Sequence, residues 1–192
     1  MINGQTKFVK DALLEADVKS VLNIGFRYDS DLTVRDAVRA NGATFSVLEA
    51  YGPNCSEMTA KGTADEVFEM DVRNIKDLKR TYDAIIWLHG PEHIFWEEFL
   101  EIREEIEAKA NKLVIYQAPI GESPQDELYE NPYEKHVQTL EPHMFEELGY
   151  ETVLHDGKNL HEYDFVDGEW TFTAVHRVTD EINDMTRKTG EY

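Results

Sequence analysis

Five apolar runs recur along the chain, at 20–26 (SVLNIGF), 44–50 (TFSVLEA), 66–70 (EVFEM), 83–89 (DAIIWLH) and 112–118 (KLVIYQA). Each is short, continuous rather than alternating, and rich in Val, Ile and aromatic residues, which suits a strand buried on both faces of a parallel sheet. The intervening stretches read as helices. Residues 30–41 are expected to be helical, with Asp29 or Ser30 as N-cap and Gly42 as the stop. Over 95–110, Phe95, Phe99, Ile102 and Ile106 fall on one face while Glu97, Glu101, Glu104 and Glu105 point to water. Shorter helices are expected over 74–80 and 141–148, the second with Pro142 in its first turn and Gly149 at its end.

Strands alternating with helices predict βαβ units and a doubly wound, mostly parallel α/β sheet. The pattern then changes. Residues 151–157 read as a strand, and 160–166 and 170–178 as strands on either side of Asp167-Gly168, a hairpin dipeptide, so the sheet is expected to finish antiparallel. Residues 179–192 carry little apolar periodicity and are expected to form a tail outside a single domain over 1–178.

Composition narrows the function classes. A length of 192 residues gives one domain room for a proper core, and 41% hydrophobic with 30% charged residues is ordinary for a folded chain. Asp and Glu number 39 against 19 Lys and Arg, a formal net charge of -20. That field repels phosphate backbones and disfavours nucleic acid as a partner. The single cysteine, Cys55, allows no intrachain disulfide and no cysteine metal cage. It follows Gly52-Pro53-Asn54 in an expected loop, and without a partner histidine it is not read as a nucleophile. The N-terminus lacks the apolar core of a signal peptide and no run approaches the ~18 apolar residues of a membrane span, so a soluble, cytoplasmic protein is expected.

Ligands of open parallel sheets sit beyond the carboxyl ends of the strands. The first run ends in Asn23-Ile24-Gly25 and leads through Phe26-Arg27-Tyr28-Asp29 into a helix. The second ends in Glu49, at about the spacing from the first glycine where dinucleotide folds place a ribose-binding carboxylate. Asp71-Val72 follows the third, where a carboxylate and a backbone amide could meet an adenine ring. The fourth runs into His89-Gly90-Pro91-Glu92-His93, an H-x-x-E-H pentapeptide that binds zinc in peptidases when it is helical. Proline costs a helix interior about 3 kcal/mol and glycine about 1, so that reading is set aside. No resident metal is expected. The alternative is a mixed nitrogen and oxygen donor set of His89, Glu92 and His93, with His136 as a further candidate. The reading favoured over it makes His89 and His93 loop residues bonded to nearby backbone.

The order of these features resembles class I S-adenosylmethionine-dependent methyltransferases over roughly residues 18 to 178. Glu92-His93 after the fourth strand, and Asn131, Pro132, Tyr133 and His136 in ENPYEKH, resemble segments of small-molecule and glycan-associated members. The resemblance implies a seven-stranded Rossmann-like sheet with an antiparallel last strand and S-adenosylmethionine as cofactor. It implies donor contacts at Asn23, Gly25, Arg27, Glu49, Asp71, Val72 and His89, and a small-molecule or sugar-containing acceptor near His93 and His136 as candidate catalytic groups. An unperturbed histidine titrates near neutral pH, as a general base for methyl transfer requires. Tyr28, Trp87 and Tyr133 are candidates to wall the pocket, although aromatic residues at such positions more often belong to the core. The family's acid-x-Gly-x-Gly-x-Gly loop is depleted here: Asn23, Gly25, Arg27 and Asp29 keep one glycine of three, and Arg27 is expected to pair with the methionine carboxylate. A catalytically inactive methyltransferase-like domain that binds a protein partner is the alternative.

Overall fold

The computed structural model describes residues 4–27, 31–156 and 169–178. Seven strands, β1 (Ser20–Ile24), β2 (Thr44–Glu49), β3 (Glu66–Glu69), β4 (Tyr82–Leu88), β5 (Ala110–Pro119), β6 (Glu151–Asp156) and β7 (Glu169–Arg177), form one sheet. Their spatial order is β3-β2-β1-β4-β5-β7-β6; β1 to β5 pair in parallel, and β7 runs antiparallel to both its neighbours. The chain builds outward from β1 to β3 and then returns to place β4 on the other side of β1. That reversal is the switch point at which such sheets open a crevice.

Successive strand residues face opposite sides of the sheet. Leu22, Leu48, Ile85 and Val114 enter one apolar cluster with Phe99, Ile102 and Ile106 of α4 (Trp96–Glu107) and Phe145 of α5 (Pro142–Glu146). Val21, Val47, Ile86 and Ile115 enter the other, with Val9 and Leu13 of α1 (Gly4–Glu15), Val34 and Val38 of α2 (Thr33–Ala40) and Met58 of α3 (Gly52–Lys61). Both faces of the central strands are therefore covered, as their continuous apolar runs predict.

The helices depart from expectation mainly at their ends. α2 starts at Thr33 rather than Ser30, because Asp31 Oδ1 accepts from the Thr33 amide at 2.9 Å and closes the turn there. The caps expected at Asp29 and Ser30 lie outside the described residues. Phe95 is extended and 56% exposed rather than on the apolar face, so α4 begins at Trp96, and Ala110 already pairs with Tyr82 in the sheet. The helix expected over 74–80 is a 3-10 helix, Val72–Asp77, whose first turn is capped by the Asp71 carboxylate. α5 stops at Glu146, two residues short of the span expected, with Gly149 in the left-handed region just beyond.

Two helices had no expectation. Cys55 lies not in a loop but in α3, which opens with Pro53 in its first turn and ends at left-handed Gly62. α1 packs through Val9, Ala12 and Leu13. The strand expected over 160–166, the Asp167-Gly168 hairpin and the 179–192 tail lie outside the described residues. Among the described residues, no helix is long and apolar enough to cross a membrane.

Candidate functional site

A cavity of about 440 Å³ lies at the carboxyl ends of β1, β2 and β4, within the roughly 300–1,000 Å³ range of small-molecule sites. Its walls include Asn23, Gly25, Arg27, Glu49, Asp71, Val72, His89 and His93, so the strand-end residues singled out in the sequence converge on one space. Trp87 and Tyr133 line it, Trp87 while also packed in the apolar core, whereas Tyr28 lies outside the described residues.

At the end of β1, Asn23 is buried and its Oδ1 has no hydrogen-bond partner among the described residues. A buried acceptor without a donor is costly, so it marks a place where a ligand N–H would be welcome. Gly25 follows with φ +66°, its amide donating to the Leu48 carbonyl at 2.8 Å. That left-handed backbone favours glycine and turns the chain away from the sheet. Arg27 then lies over the Tyr129 ring, 4.6 Å from its centroid.

Glu49 closes β2. It is 6% exposed, and Oε1 accepts from the Tyr51 amide at 2.7 Å. Burial pushes its carboxyl up to about 7; the Tyr51 N–H opposes the rise and the negative charge of Glu134 adds to it. Asp71 accepts from the Arg73 amide at 2.9 Å and pairs with its guanidinium at 3.2 Å, while Arg73 also reaches Glu98 at 3.1 Å. Cys55 Sγ donates to the Glu49 carbonyl at 3.3 Å, and burial with the neighbouring Glu49 charge pushes the thiol up to about 11. A neutral, buried thiol is a poor nucleophile.

Beyond β4, His89 adopts φ +51°, with its amide bonded to the Gln117 carbonyl at 2.9 Å. Gly90 is not helical, and only Pro91–His93 form a 3-10 turn. The pentapeptide is thus no continuous helix. His89 Nε2 lies 3.4 Å from Gln5 Oε1, and Gln5 Nε2 donates to Thr171 Oγ1 at 2.6 Å, tying α1 to β7 across the cavity wall. Gln117 Nε2 and His155 Nε2 meet Thr173 Oγ1 at 3.1 and 2.8 Å, continuing a buried polar row along β7.

Residues 122–139 form a loop over this end of the sheet, closed at its base by a bridge between Gly121 and Leu140. It is stitched to the turn after β4: Val137 N donates to Glu92 O at 3.0 Å and Gln138 Nε2 to Pro91 O at 2.8 Å. His93 has both ring nitrogens on backbone carbonyls, Nδ1 on Lys135 at 3.1 Å and Nε2 on His89 at 3.2 Å. His136 does not line the cavity; its ring stands edge-on to His93 with centroids 4.9 Å apart, and its Nδ1 bonds to the Ser123 carbonyl. Glu92 is 1% exposed, with His89 Nδ1 at 3.7 Å and His136 Nε2 at 4.0 Å from its Oε1.

Sequence reasoning did not reach Gln5, Thr6, Gln117 or Glu134, which also line the cavity. Glu134 sits inside the N-P-Y-x-x-H stretch, where its acidity was the available signal. Gln5 had none, since its contacts lie on strands far along the chain.

No family model matches the sequence, and no curated protein matches it. Solved structures do match. TehB from Haemophilus influenzae superposes with a TM-score of 0.63 at 15% identity over 93% of this chain, which spans 63% of the length of TehB. A SAM-dependent methyltransferase from Archaeoglobus fulgidus gives 0.59 at 15% identity, covering 90% of this chain and 94% of its own. Magnesium protoporphyrin IX methyltransferase (ChlM) from Synechocystis with bound SAM gives 0.56 at 14% identity, covering 90% of this chain and 80% of its own.

Proposed function

From a chain with the fold of the class I S-adenosylmethionine-dependent methyltransferases, we propose an enzyme of that chemistry, in which residues 1–178 act as one domain on a small-molecule or sugar-containing acceptor. The observation that carries the proposal is the convergence on one cavity of a left-handed Gly25 after β1, a buried Glu49 at the end of β2 and an unpartnered Asn23 Oδ1.

The donor's groups find complementary partners there. Glu49 would accept from the ribose hydroxyls, Asn23 Oδ1 from the ammonium, and Arg27 would pair with the methionine carboxylate. Asp71 and the Val72 amide take the adenine edge, and His89 flanks the donor. Bound there, S-adenosylmethionine would supply an electrophilic methyl group, and the chain's own residues would hold it in line with the acceptor and take up any proton the acceptor releases. Holding the reactants in line supplies most of the acceleration. His93, at the cavity wall, serves on the acceptor side, and His136 stands behind it with its ring edge-on to His93 and its Nδ1 on the Ser123 carbonyl.

Calorimetric titration with S-adenosylmethionine and S-adenosylhomocysteine tests the reading. Micromolar binding that collapses in Glu49→Ala supports it. Absence of binding to both ligands overturns it in favour of a non-catalytic, protein-binding domain.

A further inference from the structure

Glu92, His93 and His136 each offer a ligand atom, and those atoms all lie within 4.8 Å of one another. They come from two separate segments, the turn after β4 and the loop 122–139. We propose that they bind one divalent transition-metal ion, which pins this loop to the sheet beside the cavity.

The independent observation is the state of Glu92. Its side chain is buried and its Oε2 has no hydrogen-bond partner among the described residues. A buried carboxylate is expensive without a compensating positive charge and a partner for each oxygen. The groups facing it, His89 Nδ1 at 3.7 Å and His136 Nε2 at 4.0 Å, are imidazole nitrogens that bring no charge while neutral. A divalent cation supplies the missing charge, and a carboxylate that binds it through both oxygens gives Oε2 its partner as well as Oε1.

The histidines are prepared for that role. The Nδ1 proton of His136 is held by the Ser123 carbonyl, which leaves the Nε2 lone pair on the Glu92 side. A backbone carbonyl on the far nitrogen is the usual way a ligating imidazole is oriented. His93 has a carbonyl at each nitrogen, so metal binding replaces one of these contacts and keeps the other as the orienting bond. No resident metal is expected from the sequence, and the set differs from the alternative of His89, Glu92 and His93: His136, there a further candidate, takes the place of His89, whose ring lies against Gln5.

Two imidazoles and one carboxylate suit zinc, cobalt or manganese better than magnesium or calcium. Three protein ligands also leave a coordination position for water or a ligand oxygen, and of the three His93 lines the cavity. The proposal does not rest on methyl transfer, and its test contains no methyl donor.

The experiment titrates Zn²⁺, Co²⁺, Mn²⁺ and Mg²⁺ into the untagged, chelator-dialysed full chain. Heat of binding and melting temperature are followed, together with the visible absorption of the cobalt form. The expected result is one ion per chain, a raised melting temperature, histidine-ligated cobalt bands and little response to magnesium. Glu92→Gln and His136→Ala should each weaken binding by roughly tenfold or more, whereas His143→Ala, on the exposed face of α5, should leave it unchanged. Should Glu92→Gln fail to fold, His136→Ala carries the comparison, because its side chain belongs to a loop. No saturable one-to-one binding, or equal binding in the His136→Ala and wild-type chains, overturns the proposal.

Discussion

The indole nitrogen of Trp87 occupies the space that a side chain at position 90 would need: a Cβ built on Gly90 would lie 1.6 Å from Nε1 and 2.0 Å from Cδ1. Trp87 is 4% exposed and packs edge-on against Tyr116, so the ring cannot simply swing aside. Glycine at position 90 lets the chain fold back over its own strand and present His89 and His93 to the cavity.

Gly90→Ala should therefore destabilise the protein by at least the about 1–3 kcal/mol typical of overpacking. Urea unfolding would read the loss. A shift in tryptophan emission would show that Trp87 is the group displaced, and an unchanged midpoint would contradict the packing described.

Gly25→Ala tests a different kind of constraint. An added Cβ there meets Trp87 Nε1 at an ordinary 3.5 Å, yet φ is +66°. The expected cost is conformational, about 1–2 kcal/mol, and Gly25→Asn should cost less because asparagine tolerates the left-handed region. If alanine and asparagine unfold at the same urea concentration, the backbone explanation fails.

Glu49→Gln should separate stability from binding. The folded-state value of about 7 against 4.5 corresponds to on the order of 3 kcal/mol. Folding favours the protonated carboxyl, so this contribution is whole below pH 4.5 and is lost as pH rises through about 7. The glutamine variant should thus match wild type near pH 4 and be more stable by a few kcal/mol near pH 8, while donor binding falls. Parallel stability curves at the two pH values would show that burial does not govern Glu49.

Gln5→Leu removes the partner of both Thr171 Oγ1 and His89 Nε2. Thr171 is fully buried, and a buried polar group left without a partner costs about 1–3 kcal/mol, whereas the exposed His89 ring can turn to water. Amide exchange should increase in α1 and at the start of β7 together, since one side chain joins them; exchange confined to α1 would show that the Thr171 bond contributes little.

Phe95→Ser should stabilise. Phenylalanine at this N-cap offers no side-chain acceptor, and its ring is 56% exposed. A serine there should gain about 0.5–2 kcal/mol. A fall in melting temperature would mean that the exposed ring makes contacts worth more than a cap.

The parallel strands were legible because burial on both faces writes a continuous apolar run, as in VLNI and AIIWL. α3 was not. Its first turn, Gly52-Pro53-Asn54, carries residues equally at home in loops, and the cue that favours helix, glycine at the far end, sits ten residues on at Gly62. α4 was overextended because Phe95 continues the apolar period past the point where the backbone becomes extended. Asn23, Gly25, Glu49 and Asp71 were found by position, since ligands gather at strand ends in this class of sheet. Gln5 and Glu134 were not, because what places them is tertiary: Gln5 bonds to a residue 166 positions away.

The backbone bridge between Gly121 and Leu140 has an evolutionary consequence. It fixes the two ends of residues 122–139 whatever lies between them, so this segment can lengthen, shorten or be exchanged without altering a strand register. Closing a somewhat longer loop costs little, about 0.6 kcal/mol for each doubling. The part of the chain that roofs the cavity is thereby a cassette, open to new chemistry while the sheet beneath it stays as it is.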